Sequence, residues 1–190
     1  MIIINSLKNN IMAKTINDEF MLQVVTEQAW KELAEEYAWT EVLLEKYSDR
    51  LDWKLISSNR VIRWTIPMLK KFSGKLDWKE LSKSIDYTWF TEAHLDAFKD
   101  NWDWSSLVSN YQLSEKLIDK YLDYIDWDSL IGVIGVAHYY NGLPRDDSFD
   151  AVSFYEKYKD HISMSTFQKS DLWDKMVEQR RRQLLAEILS

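Results

Sequence analysis

The 190-residue chain contains no cysteine, which removes disulfides, thiolate metal sites and cysteine nucleophiles together. That usage suits a cytoplasmic protein, and cytoplasmic is the expected location. Only four glycines and two prolines occur, too few for a turn-rich β architecture. No apolar run approaches the roughly 18 residues that cross a bilayer. Met1–Ile4 is apolar but has neither the charged start nor the cleavage site of a signal peptide, so no membrane association is expected. The three histidines, His94, His138 and His161, lack metal-ligand spacing, and Gly74, Gly132, Gly135 and Gly142 form neither a dinucleotide fingerprint nor a phosphate loop. The chain therefore reads as a non-enzyme with no catalytic residue, metal or cofactor. Basic charge is also short: 24 Lys and Arg against 31 Asp and Glu leave a net charge of −7. Phosphate neutralisation needs a basic surface, so nucleic acid is a poor candidate partner and an unidentified protein a better one.

What the chain does have is repetition. An apolar residue, Asp, Trp, two variable residues and an apolar residue recur at Leu51-Asp52-Trp53, Leu76-Asp77-Trp78, Trp102-Asp103-Trp104 and Ile125-Asp126-Trp127, with Ile56, Leu81, Leu107 and Leu130 following. Aspartate is a strong N-cap, because its carboxylate accepts from free N–H groups of the first turn at the positive end of the helix dipole. Asp52, Asp77, Asp103 and Asp126 thus each predict a helix start. The apolar residues before and four after each cap form a hydrophobic staple. The Trp shares a face with the later apolar residue, so Trp30, Trp53, Trp78, Trp104 and Trp127 are expected in the repeat core. Asn59 and Asn110, six residues past their Trp, are expected to close helices in left-handed geometry.

A second phrase follows each first one. Thr40, Thr65, Thr91 and Ser114 are hydroxyl caps followed at helical spacing by apolar residues, such as Leu43, Leu44 and Tyr47 after Thr40. His94 falls on this inward stripe and reads as a core histidine. The unit is a helix pair, short then longer, and consecutive Trp spacings of 23, 25, 26 and 23 residues predict an all-α solenoid.

The outer stretches are less regular. Residues 1–15 carry no periodicity and are expected to be a tail, with 16–190 a single helical-repeat domain. Its regular repeats span about 26–130, beginning with a worn copy capped by Thr26 after a short helix bearing Phe20, Leu22 and Val25. An irregular insertion occupies 131–149: Ile131, Val133, Ile134, Val136 and Ala137 prolong the helix begun at Asp126, Gly132 and Gly135 admit a close neighbour, and Asn141-Gly142 ends the helix before a loop. A cap region fills 150–190. There Ile162-Ser163-Met164 repeats the first phrase in damaged form, and Ser170 caps a last helix striped with Trp173, Met176, Val177, Leu184, Leu185 and Ile188 around Arg180, Arg181 and Arg182. That stripe is expected to fold back on the preceding pair, leaving a monomer; a homodimer seam is the alternative.

The pattern Asp-Trp-x-x-Leu-Ser-x-Asn followed by a hydroxyl-capped helix resembles tandem helical repeats of uncharacterised bacterial, phage and giant-virus proteins. The likeness covers about residues 26–130 and is carried by Trp53, Ser57 and Asn59, by Trp78, Leu81 and Ser82, and by Trp104, Leu107 and Asn110, with Val108 departing at the Ser place. The resemblance implies an α-solenoid with a binding role and brings no catalytic residue. The leading expectation is a noncatalytic protein-binding module, in concrete form a phage or mobile-element protein that blocks a host factor. Candidate partner-binding residues are Tyr139, Tyr140, Arg145, Asp146 and Asp147 in the insertion and Arg180, Arg181, Leu184, Leu185 and Ile188 in the last helix. A self-associating structural subunit is the second reading, and a hydrolase using the acidic loop Asp146, Asp147 and Asp150 the third.

Overall fold

Aspartate before tryptophan starts a helix all four times. In the computed structural model, which describes residues 2–86, 88–111, 113–134 and 150–190, with backbone alone over 2–17, Asp52 accepts from the N–H groups of Lys54 and Leu55. Asp77, Asp103 and Asp126 accept from the N–H groups of Glu80, Ser106 and Ser129. The resulting helices are α3 (Trp53–Ser58), α5 (Trp78–Ser84), α7 (Trp104–Asn110) and α9 (Trp127–Val133). Both members of every staple, from Leu51 with Ile56 to Ile125 with Leu130, are buried.

The second helices are α2 (Glu41–Lys46), α4 (Ile66–Phe72), α6 (Glu92–Ala97) and α8 (Glu115–Lys120). Thr40, Thr65 and Ser114 cap three of them through the N–H groups of Leu43, Met68 and Leu117. At six or seven residues they are no longer than the first helices, contrary to the expected short-then-longer pair. Hydrogen-bonded turns continue them, as with the Arg50 and Leu51 N–H groups on the Tyr47 carbonyl. A second staple operates here. Trp39, Trp64 and Leu113 precede the hydroxyl caps, Leu44, Leu69 and Ile118 stand four after them, and all six are buried.

The fold is all-α, an arrangement of helix pairs stacked in sequence order, and it divides into two compact units, Met1–Thr91 and Glu92–Ser190. In the first unit α3 packs on α1 (Ile2–Glu36) and α5 on α3. In the second, α7 packs on α9, and α9 on both α11 (Met164–Phe167) and α12 (Asp171–Leu189). Helix α10 (Ala151–Tyr158) packs on α12.

Several expectations change. The backbone of 2–15, which carries no pattern, is part of α1, and the worn first repeat is not two helices: Thr26 donates its hydroxyl to the Leu22 carbonyl within α1 and starts nothing. Phe20, Leu22 and Val25 are exposed, since the stretch of α1 that carries them is uncovered and burial begins only near its C-terminal end, at Ala34. Helix α9 ends at Val133 with Ile134 as its C-cap; the expected extension through Val136 and Ala137 lies outside the described residues. At Gly132 no other part of the described chain comes within 4 Å of where a Cβ would stand, so among the described residues it serves no close approach. The rest of the insertion, including His138, Tyr139, Tyr140, Arg145, Asp146 and Asp147, lies outside the described residues.

Two corrections concern the repeat itself. Trp104 is buried, but Trp30, Trp53, Trp78 and Trp127 are only half-buried. Trp53, Trp78, Trp104 and Trp127 are each the first residue of their helix and lie across the end of the preceding turn, whereas Trp30 is interior to α1. The indole N–H groups of Trp53, Trp78, Trp104 and Trp127 donate to the carbonyls of Ser48, Ser73, Lys99 and Leu122, always five residues back. The ring faces then meet the aromatic at the end of the next second helix: Trp53 on Phe72 at 5.2 Å, Trp104 on Tyr121 at 5.2 Å and Trp127 on Tyr158 at 5.3 Å. The Trp is a stitch between neighbouring pairs.

The asparagines do not close helices in left-handed geometry. Asn59 has φ −70° and ψ 115°, is buried, and donates its amide to the carbonyls of Ala34 and Tyr37 at 2.7 and 3.0 Å, while its Oδ1 accepts from the N–H groups of Val61 and Ile62. It thereby satisfies carbonyls left over at the C-terminus of α1. Asn110 is exposed, ends α7 as a helical residue and donates to the Ser106 carbonyl.

Candidate docking face

Most acidic groups of the described chain have structural employment. Lys71, in the last turn of α4, bonds Glu41 at 3.0 Å and Glu45 at 2.9 Å on α2. Lys120, at the end of α8, bonds Glu92 at 2.7 Å and Asp96 at 2.8 Å on α6, and Lys157, in α10, bonds Glu115 at 3.2 Å and Asp119 at 2.9 Å on α8. Each carboxylate pair is four apart on its helix and so shares a face. Each lysine also lies over its neighbouring ring, Phe72, Tyr121 or Tyr158. The tyrosines add hydroxyl bonds, Tyr121 to Asp96 and Tyr158 to Asp119.

The charges shift accordingly. The Lys120 ammonium, then that of Lys116, holds Glu92 below the usual carboxylate range; Lys120 and the Tyr121 hydroxyl do so for Asp96, and Lys157 and Tyr158 for Asp119. Lys71 is raised by Glu45 and Glu41, and Lys120 by Asp96 and Glu92. Burial, reinforced by the bond to Asp96, pushes the Tyr121 phenol up to about 12. This ladder joins neighbouring helices.

The acidic loop fares similarly where it is described. Asp150 is the N-cap of α10; the Ser153 hydroxyl and N–H, then the Gln179 amide and the Val152 N–H, bond its carboxylate and hold it at about 2. Such a carboxylate is a poor base. His94 is buried, as expected of a core histidine, and its carbonyl accepts from the Trp102 indole, while His161 stacks on Trp127 at 5.0 Å. Among the described residues no group of three or more His, Cys, Asp or Glu could hold a metal ion.

Helix α12 is different. Ser170 caps it through the Trp173 N–H, Leu172 is fully buried, and Trp173 meets Phe167 edge-on at 5.3 Å, with Phe167 stacked on Tyr155 at 4.3 Å. Gln179, bonded to Asp150 at 3.1 Å, ties α12 to the start of α10. From Arg180 onward every residue is exposed. The expected fold-back of Leu184, Leu185 and Ile188 is therefore incorrect: they are 41, 47 and 76% exposed. The packed stretch ends near Gln179; the three arginines that follow stand in water and, among the described residues, pair along their own helix, Arg180 with Glu187, Arg181 with Glu178 and Arg182 with Glu178.

The sequence stripe survives as one continuous outward face. Trp173, Val177, Leu184 and Ile188 line a shallow groove of about 620 Å³ formed by α12 alone, with Arg180 and Arg181 among them. Of the candidate partner-binding residues, the structure brings together Arg180, Arg181, Leu184, Leu185 and Ile188; the remaining five lie outside the described residues. Sequence reading did not single out a comparable surface on α1, where Leu22, Val25 and Leu33 are exposed at helical spacing. No described helix is long and apolar enough to cross a membrane. Comparison with protein-family models, curated proteins and solved structures finds no match.

Proposed function

We propose that the chain is a noncatalytic module that binds another protein, with the outer half of α12 as its docking face. The observation that carries this reading is the run of apolar side chains, Trp173, Val177, Leu184 and Ile188, left in water around two arginines. A contiguous exposed apolar surface has no use in folding, and apolar anchors bordered by arginine have the composition of an interaction hot spot. The assignment of acidic residues to caps and ladder supports the noncatalytic part. In the phage or mobile-element version, occupying a host factor is itself the activity.

The test is retention of a cellular protein by the full chain and by a Leu184→Glu/Ile188→Glu variant. Both positions are exposed, so circular dichroism and melting should match the parent. The parent is expected to retain a protein that the variant loses. Equal retention by both would refute α12 as the docking face.

A further inference from the structure

We infer that, in the absence of its partner protein, the α12 face is covered by α1 of a second copy of this chain. The inference rests on the reading of α12 as a docking face and names what covers it. Two helices of the described structure carry uncovered apolar stripes. On α12 the stripe runs Trp173, Val177, Leu184 and Ile188. On α1 it runs Leu22, Val25, Ala29 and Leu33, and every member is exposed. Steps of three, four and seven residues keep each set on one side of its helix.

Charge selects between the possible pairings. From Asp18 to Glu36, α1 carries six carboxylates (Asp18, Glu19, Glu27, Glu32, Glu35 and Glu36) against one lysine. Glu32 and Glu36 fall beside the Leu33 end of its stripe. The α12 stripe instead has Arg180 and Arg181 at its middle. Their present partners, Glu187 and Glu178, are exposed residues of the same helix at 3.5 and 3.4 Å, and such pairs exchange at little cost. Two copies of α12 laid antiparallel, with Trp173 opposite Ile188 and Val177 opposite Leu184, would set Arg180 against Arg181 at the centre. Two copies of α1 would set one acidic helix against another. Only α12 against α1 joins apolar to apolar while giving arginines carboxylates to face. The contact is heterologous: each copy offers one face and receives on the other.

The experiment is light scattering on the full chain and two single variants, Val25→Glu on α1 and Leu184→Glu on α12, with circular dichroism to show that each melts as the parent does. The parent's mass should rise with concentration beyond one chain and fall back in high salt. Each variant alone should stay at the mass of one chain, because one of its two faces is blocked. Mixed in equal amounts they should form a species of twice that mass, since Val25→Glu retains a good α12 and Leu184→Glu a good α1. A parent that keeps the mass of one chain at every concentration overturns the inference. So does a Val25→Glu variant that still dimerises, which would mark an α12-to-α12 seam. Neither result touches the docking face itself, which is judged separately by whether Leu184→Glu/Ile188→Glu loses the retained protein.

Discussion

Replacing Asn59 by alanine should be among the most damaging single changes in the first unit, although the residue is polar and small. Its side chain makes four hydrogen bonds: its amide donates to the carbonyls of Ala34 and Tyr37, and its oxygen accepts from the N–H groups of Val61 and Ile62. The bonds to the Ala34 carbonyl and the Ile62 N–H are buried, those to the Tyr37 carbonyl and the Val61 N–H part-buried, and the Tyr37 carbonyl also accepts from the Trp39 N–H. A buried backbone group left without a partner costs about 1 to 3 kcal/mol. At about 2 kcal/mol each, Asn59→Ala should lose about 4 kcal/mol, a large part of the roughly 5 to 15 kcal/mol that holds a domain together. Asn59→Asp separates the two halves of the arrangement. It keeps the acceptor for Val61 and Ile62 but turns carboxylate oxygen toward two carbonyls, so it should lose at least about 2 kcal/mol. Urea unfolding followed by circular dichroism, with the slope unchanged, measures both. A loss below about 1 kcal/mol for Asn59→Ala, or a neutral Asn59→Asp, would refute the role of this amide as the cap of α1.

Other expectations are simpler. Trp78→Phe keeps a ring but removes the donor to the Ser73 carbonyl, and should cost about 1 kcal/mol in urea unfolding, against about 3 kcal/mol for Trp78→Ala. Asp77→Ala should lose about 1 kcal/mol through the bond to the Glu80 N–H and Asp77→Asn far less, read by thermal melting. Glu92, Asp96 and Asp119 have lowered pKa values, so their contribution is complete above the ordinary carboxylate range and is lost as pH falls through and below it; Lys120→Met with Lys157→Met should flatten that acid decline in the urea midpoint. The Tyr121 phenol, pushed up to about 12, favours folding below the ordinary tyrosine value near 10, and that stability should drain away as pH climbs from there toward 12; Tyr121→Phe should lessen the alkaline loss.

Local chemistry was legible in the sequence and long-range chemistry was not. The four aspartate caps could be read because both partners lie within three residues. The role of Asn59 could not, because the carbonyls it satisfies stand 22 and 25 residues earlier. Tryptophan misled by its size: its abundance suggested core, whereas its N–H, held five residues back, fixes the ring at the seam between pairs. The buried Trp39 and Trp64 escaped notice because they precede a threonine and not an aspartate, although the same staple logic covers them. On α12 the periodicity revealed the stripe, but period alone says nothing about whether a neighbour exists to cover it.

The lysine ladder has a consequence for how such a chain can grow. Lys71 and Lys120 find carboxylates 24 to 30 residues back, whereas Lys157 finds its own 38 and 42 residues back, across the inserted stretch. The geometry of the rung is the same. Closing a loop about half as long again adds only about 0.3 kcal/mol, because that entropy rises with the logarithm of length. Register is thus written on helix faces and not in the count of residues between them. The junction after α9 is a place where evolution, or an engineer, can splice in a foreign segment and leave the stack on either side as it was.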